Sequence, residues 1–148
     1  MEAFKDLINS HFFDRLKNII AQIDCEFDFN LFLTQIYDEN WKEKELKQRT
    51  RHIAICFNKT LNESYEKSVF VIKQIVEKAK KEKPDNYNLG YLFLPEFIEN
   101  FGLNYFDESI EVIENVTELM SCEFAVRPFI VKYKEKMIEK MIKWSNSN

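Results

Sequence analysis

Apolar residues recur along this chain at the three-and-four spacing of helices, with short polar breaks between the runs. Ser10 can cap a first helix ending near Ile23, whose stripe is Leu16, Ile19, Ile20 and Ile23. Asp28 can cap a short second helix that buries Phe29, Phe32, Leu33 and Ile36. A longer helix follows from Glu43 to about Lys59. Leu46, Thr50, Ile53, Ala54 and Phe57 fall on one side of it, and Lys44, Gln48, Arg51 and Lys59 on the other. Asn62 or Ser64 starts the next, which runs to about Lys81 with Val69, Ile72, Ile75, Val76 and Ala79 inward. The clear loop is Lys80–Asn88, broken by Pro84 and Asp85-Asn86. A short helix around Pro95–Asn100 then stops at Gly102, a residue suited to a left-handed position after a helix end.

Asp107 opens a helix with Ile110, Ile113, Val116 and Met120 on one face and Glu108, Glu111, Glu114 and Glu118 on the opposite one. Pro128 complicates the next element, because it removes a backbone donor and disfavours a helical Arg127. Either Ser121 caps a helix that Pro128 bends, or the helix begins with Pro128 at its first position. The last helix, about Lys134–Ser145, carries Lys136, Lys140 and Lys143 on one stripe. Its apolar side, Met137, Ile138, Met141, Ile142 and Trp144, is too broad for a terminal lid and is expected to lack a partner within the chain.

Composition agrees with an all-α reading. The 148 residues include only 2 glycines and 3 prolines, too few turn-formers for a sandwich or barrel, and they make one domain spanning 1–148. The net charge of −4 argues against a generic polyanion binder. The charges are segregated, however. Between Pro84 and Ser121 there are carboxylates and no Lys or Arg, whereas Lys42–Arg51, Lys73–Lys83 and Arg127–Lys143 are basic. Such a distribution permits a basic face on an acidic protein. Cys25, Cys56 and Cys122 lack CxxC spacing and read as reduced thiols of a cytoplasmic protein. His11 and His52 stand far apart with no ligand pairing, so neither a metal nor a cofactor is expected. No apolar run is long enough to cross a bilayer, and no membrane partner is expected.

One stretch stands out. Ser121–Tyr133, SCEFAVRPFIVKY, sets the carboxylate of Glu123 and the guanidinium of Arg127 among apolar residues. Four residues apart on a helix, the two would face each other and contribute roughly 0.2–0.5 kcal/mol. The stretch also resembles the signature of the bacterial alkylpurine DNA glycosylases built from HEAT-like helical repeats, the AlkC/AlkD type and the AlkC branch in particular. Leu94-Pro95-Glu96-Phe97, Phe101-Gly102-Leu103, Phe106-Asp107-Glu108-Ser109, the LKQRTRHIA segment at Leu46–Ala54 and the opening Phe4-Lys5-Asp6-Leu7 are similar to that branch as well, in the same order.

The resemblance implies a HEAT-like α-α superhelix and hydrolysis of the N-glycosidic bond of cationic alkylated bases such as N3-methyladenine. A base alkylated at a ring nitrogen is already a good leaving group. The protein must stabilise the positive charge growing on the deoxyribose and place a water, and a carboxylate beside the sugar can do both. Glu123 matches the family's motif carboxylate, with Cys122 where many members have serine or alanine. Arg127 matches the motif arginine, which would orient Glu123 or contact a phosphate. Double-stranded DNA carrying alkylated bases is the implied partner, with Lys44, Arg49, Arg51, His52, Lys136, Lys140 and Lys143 as candidate contacts on the concave face. Solubilising charge is as good a reading of the lysines, and tying two helices together as good a reading of Arg51-His52. Family members continue past this length with further repeats, so the chain is expected to be the N-terminal portion of such a protein, with part of the active site absent. Its open end is expected to self-associate. The alternative is a catalytically incomplete helical-repeat scaffold that binds DNA or a protein partner.

Overall fold

The computed structural model describes residues 8–23, 25–82, 93–115 and 119–146, with the side chains at 80, 82, 115 and 119–125 left outside that description. The helices are α1 Ser10–Ile20, α2 Phe29–Ile36, α3 Leu46–Leu61, α4 Tyr65–Glu82, α5 Leu94–Phe101, α6 Phe106–Asn115, α7 Leu119–Lys132 and α8 Lys134–Asn146. A 3₁₀ turn, Trp41–Glu43, leads into α3. Among the described residues there is no strand, and the chain is all-α. The expected opening block at Phe4–Leu7, the loop around Pro84, and Val116 and Glu118 of the expected acidic helix lie outside the described residues.

The helices pack in two rows. In one, α2 lies against α3, α3 against α5, and α5 against α7; in the other, α1 lies against α4 and α4 against α6. Phenylalanine fills the space between neighbours. Phe57, completely buried on α3, meets Phe32 of α2 at 6.4 Å, Phe97 of α5 at 6.2 Å, and both Phe27 and Phe93 from the flanking segments at 5.2 and 5.5 Å. Tilted and edge-on ring pairs at these separations add to what area burial alone provides.

The ends of the elements depart from the sequence pattern in identifiable ways. Asn9, not Ser10, caps α1, its Oδ1 accepting the Phe12 N–H at 3.1 Å. Both residue types cap well, and this frame turns Phe12 and Phe13 inward. The α-helix stops at Ile20, yet Ile23 is buried because the Gln22 and Ile23 N–H groups bond back to Ile19 and Ile20 in a tightened last turn. Asp28 caps α2 as expected, accepting the Leu31 N–H at 3.1 Å. Helix α3 begins at Leu46 rather than Glu43, and the Glu45 N–H is satisfied by Gln48 Oε1 at 2.9 Å. Asn62 ends α3 in the left-handed conformation (φ 50°), and Ser64 starts α4 by accepting the Lys67 N–H at 3.3 Å. Pro128 lies inside α7, so Ser121 is a residue of the helix rather than its cap. The Tyr133 N–H to Phe129 O bond (2.8 Å) and the Met137 N–H to Tyr133 O bond (2.9 Å) carry the chain from α7 into α8 with little interruption.

The last helix is less open than expected. Met137 is completely buried, and Trp144 packs against the core. Ile138, Met141 and Ile142 are exposed, as are Ile130 and Val131 on α7, the latter at 85%.

Gly102 is not left-handed; its φ is −102°. It is required for another reason. The Tyr65 hydroxyl donates to Ser109 Oγ at 2.7 Å, and the Ser109 hydroxyl in turn donates to Gly102 O at 3.0 Å, tying α4, the α5–α6 turn and α6 together. A Cβ at position 102 would fall 2.6 Å from Ser109 Oγ and 2.8 Å from Ile98 O, and closer still to the Tyr65 oxygen. The backbone carbonyl cannot move aside without unwinding α5. Gly102→Ala is therefore expected to destabilise the fold by about 1–3 kcal/mol, the usual range for overpacking a filled site, read as a lowered midpoint in urea denaturation with an unchanged slope.

Candidate functional site

The basic segment of α3 comes together with the chain that precedes it around an open groove of about 460 Å³, lined by Asn40, Glu43, Lys44, Gln48, Arg51, His52 and Ile55. Asp38 holds two of the lining residues, Lys44 and His52. Its carboxylate accepts the Asn40 N–H at 3.0 Å and pairs with Lys44 Nζ at 3.2 Å, and His52 Nε2 stands 3.5 Å away. What burial there is works against the Asp38 charge, but Lys44, the Asn40 N–H and His52 together hold its carboxyl below the usual range. His52 Nε2 is also 3.1 Å from both Gln35 O and Ile36 O, so its N–H is directed at the carbonyl end of α2. His52 thus ties α2 to α3, one of the two roles open from the sequence. Cys56 lies 3.7 Å from the same nitrogen, and burial pushes its thiol up to about 11, leaving it a packing group rather than a nucleophile.

Arg49 has to be removed from the candidate contacts. It is buried, its Nη2 donates to Trp41 O at 3.1 Å, and its guanidinium lies 4.5 Å over the Trp41 ring. It anchors the 3₁₀ turn to α3. Two positions further on, Arg51 is exposed and reaches α5, donating from Nη2 to Asn100 Oδ1 at 3.3 Å.

Asn100 and Glu96 did not emerge as site candidates from the sequence. Glu96 is buried at 8% exposure on the first turn of α5. Burial, and then Glu99, raise its carboxyl pKa above the ordinary value, against the opposing charges of Lys47 and Arg51 and the Asn100 hydrogen bond. The available signal was a carboxylate set inside the apolar run Leu94-Pro95-Glu96-Phe97-Ile98.

Glu123 and Arg127 both lie in α7, which packs on α5. A continuous helix through both places them four residues apart on one face. The Glu123 side chain is outside the described residues; Arg127 is exposed. The three candidate lysines of α8, Lys136, Lys140 and Lys143, sit elsewhere. Lys136 Nζ is 5.2 Å from the Phe106 ring, and Lys140 pairs with Glu114 at 2.8 Å, so both border α6. Glu111 of α6 meets Lys73 at 4.0 Å. Lys140 therefore belongs to the acidic face of α6. Lys143 is exposed near the end of α8. Among the described residues no cluster of His, Cys, Asp or Glu could hold a metal ion, and no helix is long and apolar enough to cross a membrane.

No family model matches the chain, and no solved structure matches it. It is similar to a protein of Bacillus subtilis (strain 168), Uncharacterized protein YhaZ, being 29% identical over 145 residues. The match covers 98% of this chain and 39% of that protein. The chain thus spans about two-fifths of the length of this relative.

The two perturbed carboxylates have opposite consequences for stability. The folded state lowers the Asp38 pKa, so Asp38 contributes stability above its unfolded value near 4 that is lost as pH falls through the folded value. The folded state raises that of Glu96, so its ionised form subtracts stability at neutral pH, and protonation relieves this as pH falls. Asp38→Asn is expected to destabilise at pH 7 and to approach the wild type as pH falls through the lowered folded-state value of Asp38. Glu96→Gln is expected to stabilise at pH 7, with the gain fading as pH falls through the raised folded-state value and gone below about pH 4. Urea denaturation followed from pH 7 into the acid range checks both signs.

Proposed function

We propose that the chain is the DNA-facing helical-repeat part of an alkylpurine DNA glycosylase, its two rows of helices being diverged HEAT-like repeats. The observation that carries this reading is a juxtaposition. Three blocks that resemble the AlkC branch are far apart in sequence: LKQRTRHIA, LPEF and SCEFAVRPF. They fall on α3, α5 and α7, and these helices are successive neighbours in one row. A row of helices that presents its motif residues on adjacent elements is how stacked repeats build an extended binding surface.

In this reading duplex DNA lies along the α3–α5–α7 row. Arg51 at the groove contacts a phosphate, Glu123 stabilises the cationic sugar and holds the attacking water, and Arg127 orients Glu123 or takes a further phosphate. Lys143, exposed near the end of α8, extends the positive surface at one end; Lys136, which borders α6, does not. Arg49, Lys140, Lys44 and His52 drop out: Arg49 is buried under Trp41, Lys140 is engaged by Glu114, Lys44 is paired with Asp38, and His52 is taken up by Asp38 and the end of α2. Binding through such contacts is sequence-independent and steeply salt-dependent.

A second reading, a scaffold that binds a protein partner, is favoured by the exposed apolar residues Ile130, Val131, Ile138, Met141 and Ile142 on α7 and α8. Self-association through this face predicts a sedimentation mass that rises with concentration, and Ile142→Glu should abolish the rise.

The enzymatic reading is tested by base release from methylated duplex DNA, with the chain alone and with the remainder of the YhaZ length supplied in trans. Glu123→Gln keeps the shape and loses the charge, so release should fall by roughly two to four powers of ten while stability barely moves. A residue that only pairs with Arg127 would cost a few tenths of a kcal/mol at most and leave release intact. Full release by the Gln variant would leave this chain a scaffold.

A further inference from the structure

The groove on α3 has a second row of residues behind it, on α5. Asn100 is anchored from one side: its Nδ2 donates to Glu96 O at 2.7 Å and reaches the Glu96 carboxylate Oε2 at 3.4 Å. Turning the amide over would set Oδ1 against these two oxygens, so its orientation is decided. Oδ1 is thereby presented outward, and Arg51 Nη2 donates to it at 3.3 Å. The link joins residues 49 apart in the chain and spans α3 and α5.

We propose that Asn100, locked by Glu96, is a positioning residue that holds the Arg51 guanidinium at the groove in the orientation in which it meets a backbone phosphate of DNA. The inference rests on the reading that this groove takes phosphate. An exposed arginine on its own samples many rotamers and loses that freedom on binding, a cost of about a factor of two to twelve per immobilised long side chain. A fixed acceptor removes part of the cost in advance. The chemistry of the acceptor matters as much as its place. An amide oxygen takes one of the five guanidinium N–H groups and leaves the positive charge undiminished, whereas a carboxylate at the same point would neutralise it. The carboxylate here is set one step back. Glu96 is buried and bonds the amide, and Asn100 stands between it and Arg51.

Titration of a fluorescent, unmodified duplex against the folded protein over a range of salt separates positioning from contact. The slope of log K against log salt counts neutralised phosphates, and the affinity at one salt also records preorganisation. Arg51→Ala should weaken binding and flatten the slope by about 0.9. Asn100→Ala should weaken binding about threefold to tenfold and leave the slope unchanged. Asn100→Asp should flatten the slope as Arg51→Ala does, because its carboxylate would cancel the arginine. If Asn100 merely braces α3 against α5, Asn100→Ala will lower the denaturation midpoint while the folded protein keeps wild-type affinity; that result overturns the proposal. Should the Ala variant not fold, an Asp variant with an unaltered slope overturns it equally. An unchanged slope in Arg51→Ala removes the phosphate reading of the groove and this inference with it. A flattened slope there, together with an indifferent Asn100→Ala, removes the positioning role alone.

Discussion

The contact on which the rest of the structure depends is the packing of Phe57 between its aromatic neighbours. One ring on α3 reaches Phe32 on α2 and Phe97 on α5, with Phe27 and Phe93 closing the sides. Full burial of a side chain this size is worth about 1.5–3 kcal/mol, and each favourable ring pair adds about 0.5–1.5 kcal/mol. The ring also fixes geometry. With α2 and α5 both held to α3, the carbonyl end of α2 comes to His52 and the Asn100 side of α5 comes to Arg51. The groove is thus a consequence of the core beneath it.

The polar chemistry of that row is arranged around a few placed acceptors. Asp38 gathers Lys44 and His52, and Asn100 takes Arg51. Arg49, on the same helix, serves the interior because its guanidinium can cover the face of Trp41 while its Nη2 satisfies a backbone carbonyl. Two arginines two residues apart therefore have opposite fates, decided by the angle each occupies on the α3 cylinder. On the other row the balance is reversed. Glu111 and Glu114 draw in Lys73 and Lys140, which leaves α6 an acidic, paired surface rather than part of a basic one.

Gly102 illustrates how the turn between α5 and α6 is made. The constraint comes from the space that Tyr65 and Ser109 occupy, and the buried hydroxyl chain ending on the glycine carbonyl draws α4 and α6 onto the same point. Burial pushes the Tyr65 hydroxyl up to about 12, so it remains a donor throughout the ordinary pH range and the chain keeps its direction.

The all-α class, the order of the helices and most of their inward faces were legible in the sequence. Hydrophobic spacing reports which side of a helix is covered, and Leu16, Ile19, Phe32, Ile53, Phe57, Ile72 and Ile110 are all buried as the spacing implies. Cap choices were legible in part: Asp28 caps α2 as its type and place imply, whereas Ser10 does not cap α1. Asn9 and Ser10 are equivalent locally, and packing of Phe12 and Phe13 selects between them. Gly102 was noticed for its type and misread for its reason, because a close approach by Tyr65 and Ser109 from 37 residues before and 7 after leaves no local trace. The candidate site divides in the same way. Lys44, Arg51 and His52 could be named from their segment, but Arg49 could not be excluded, and Asn100 and Glu96 could not be joined to them. Charge type is written in the sequence, whereas whether a charge faces water, a ring or another charge depends on which helix lies alongside, and only the tertiary structure decides that.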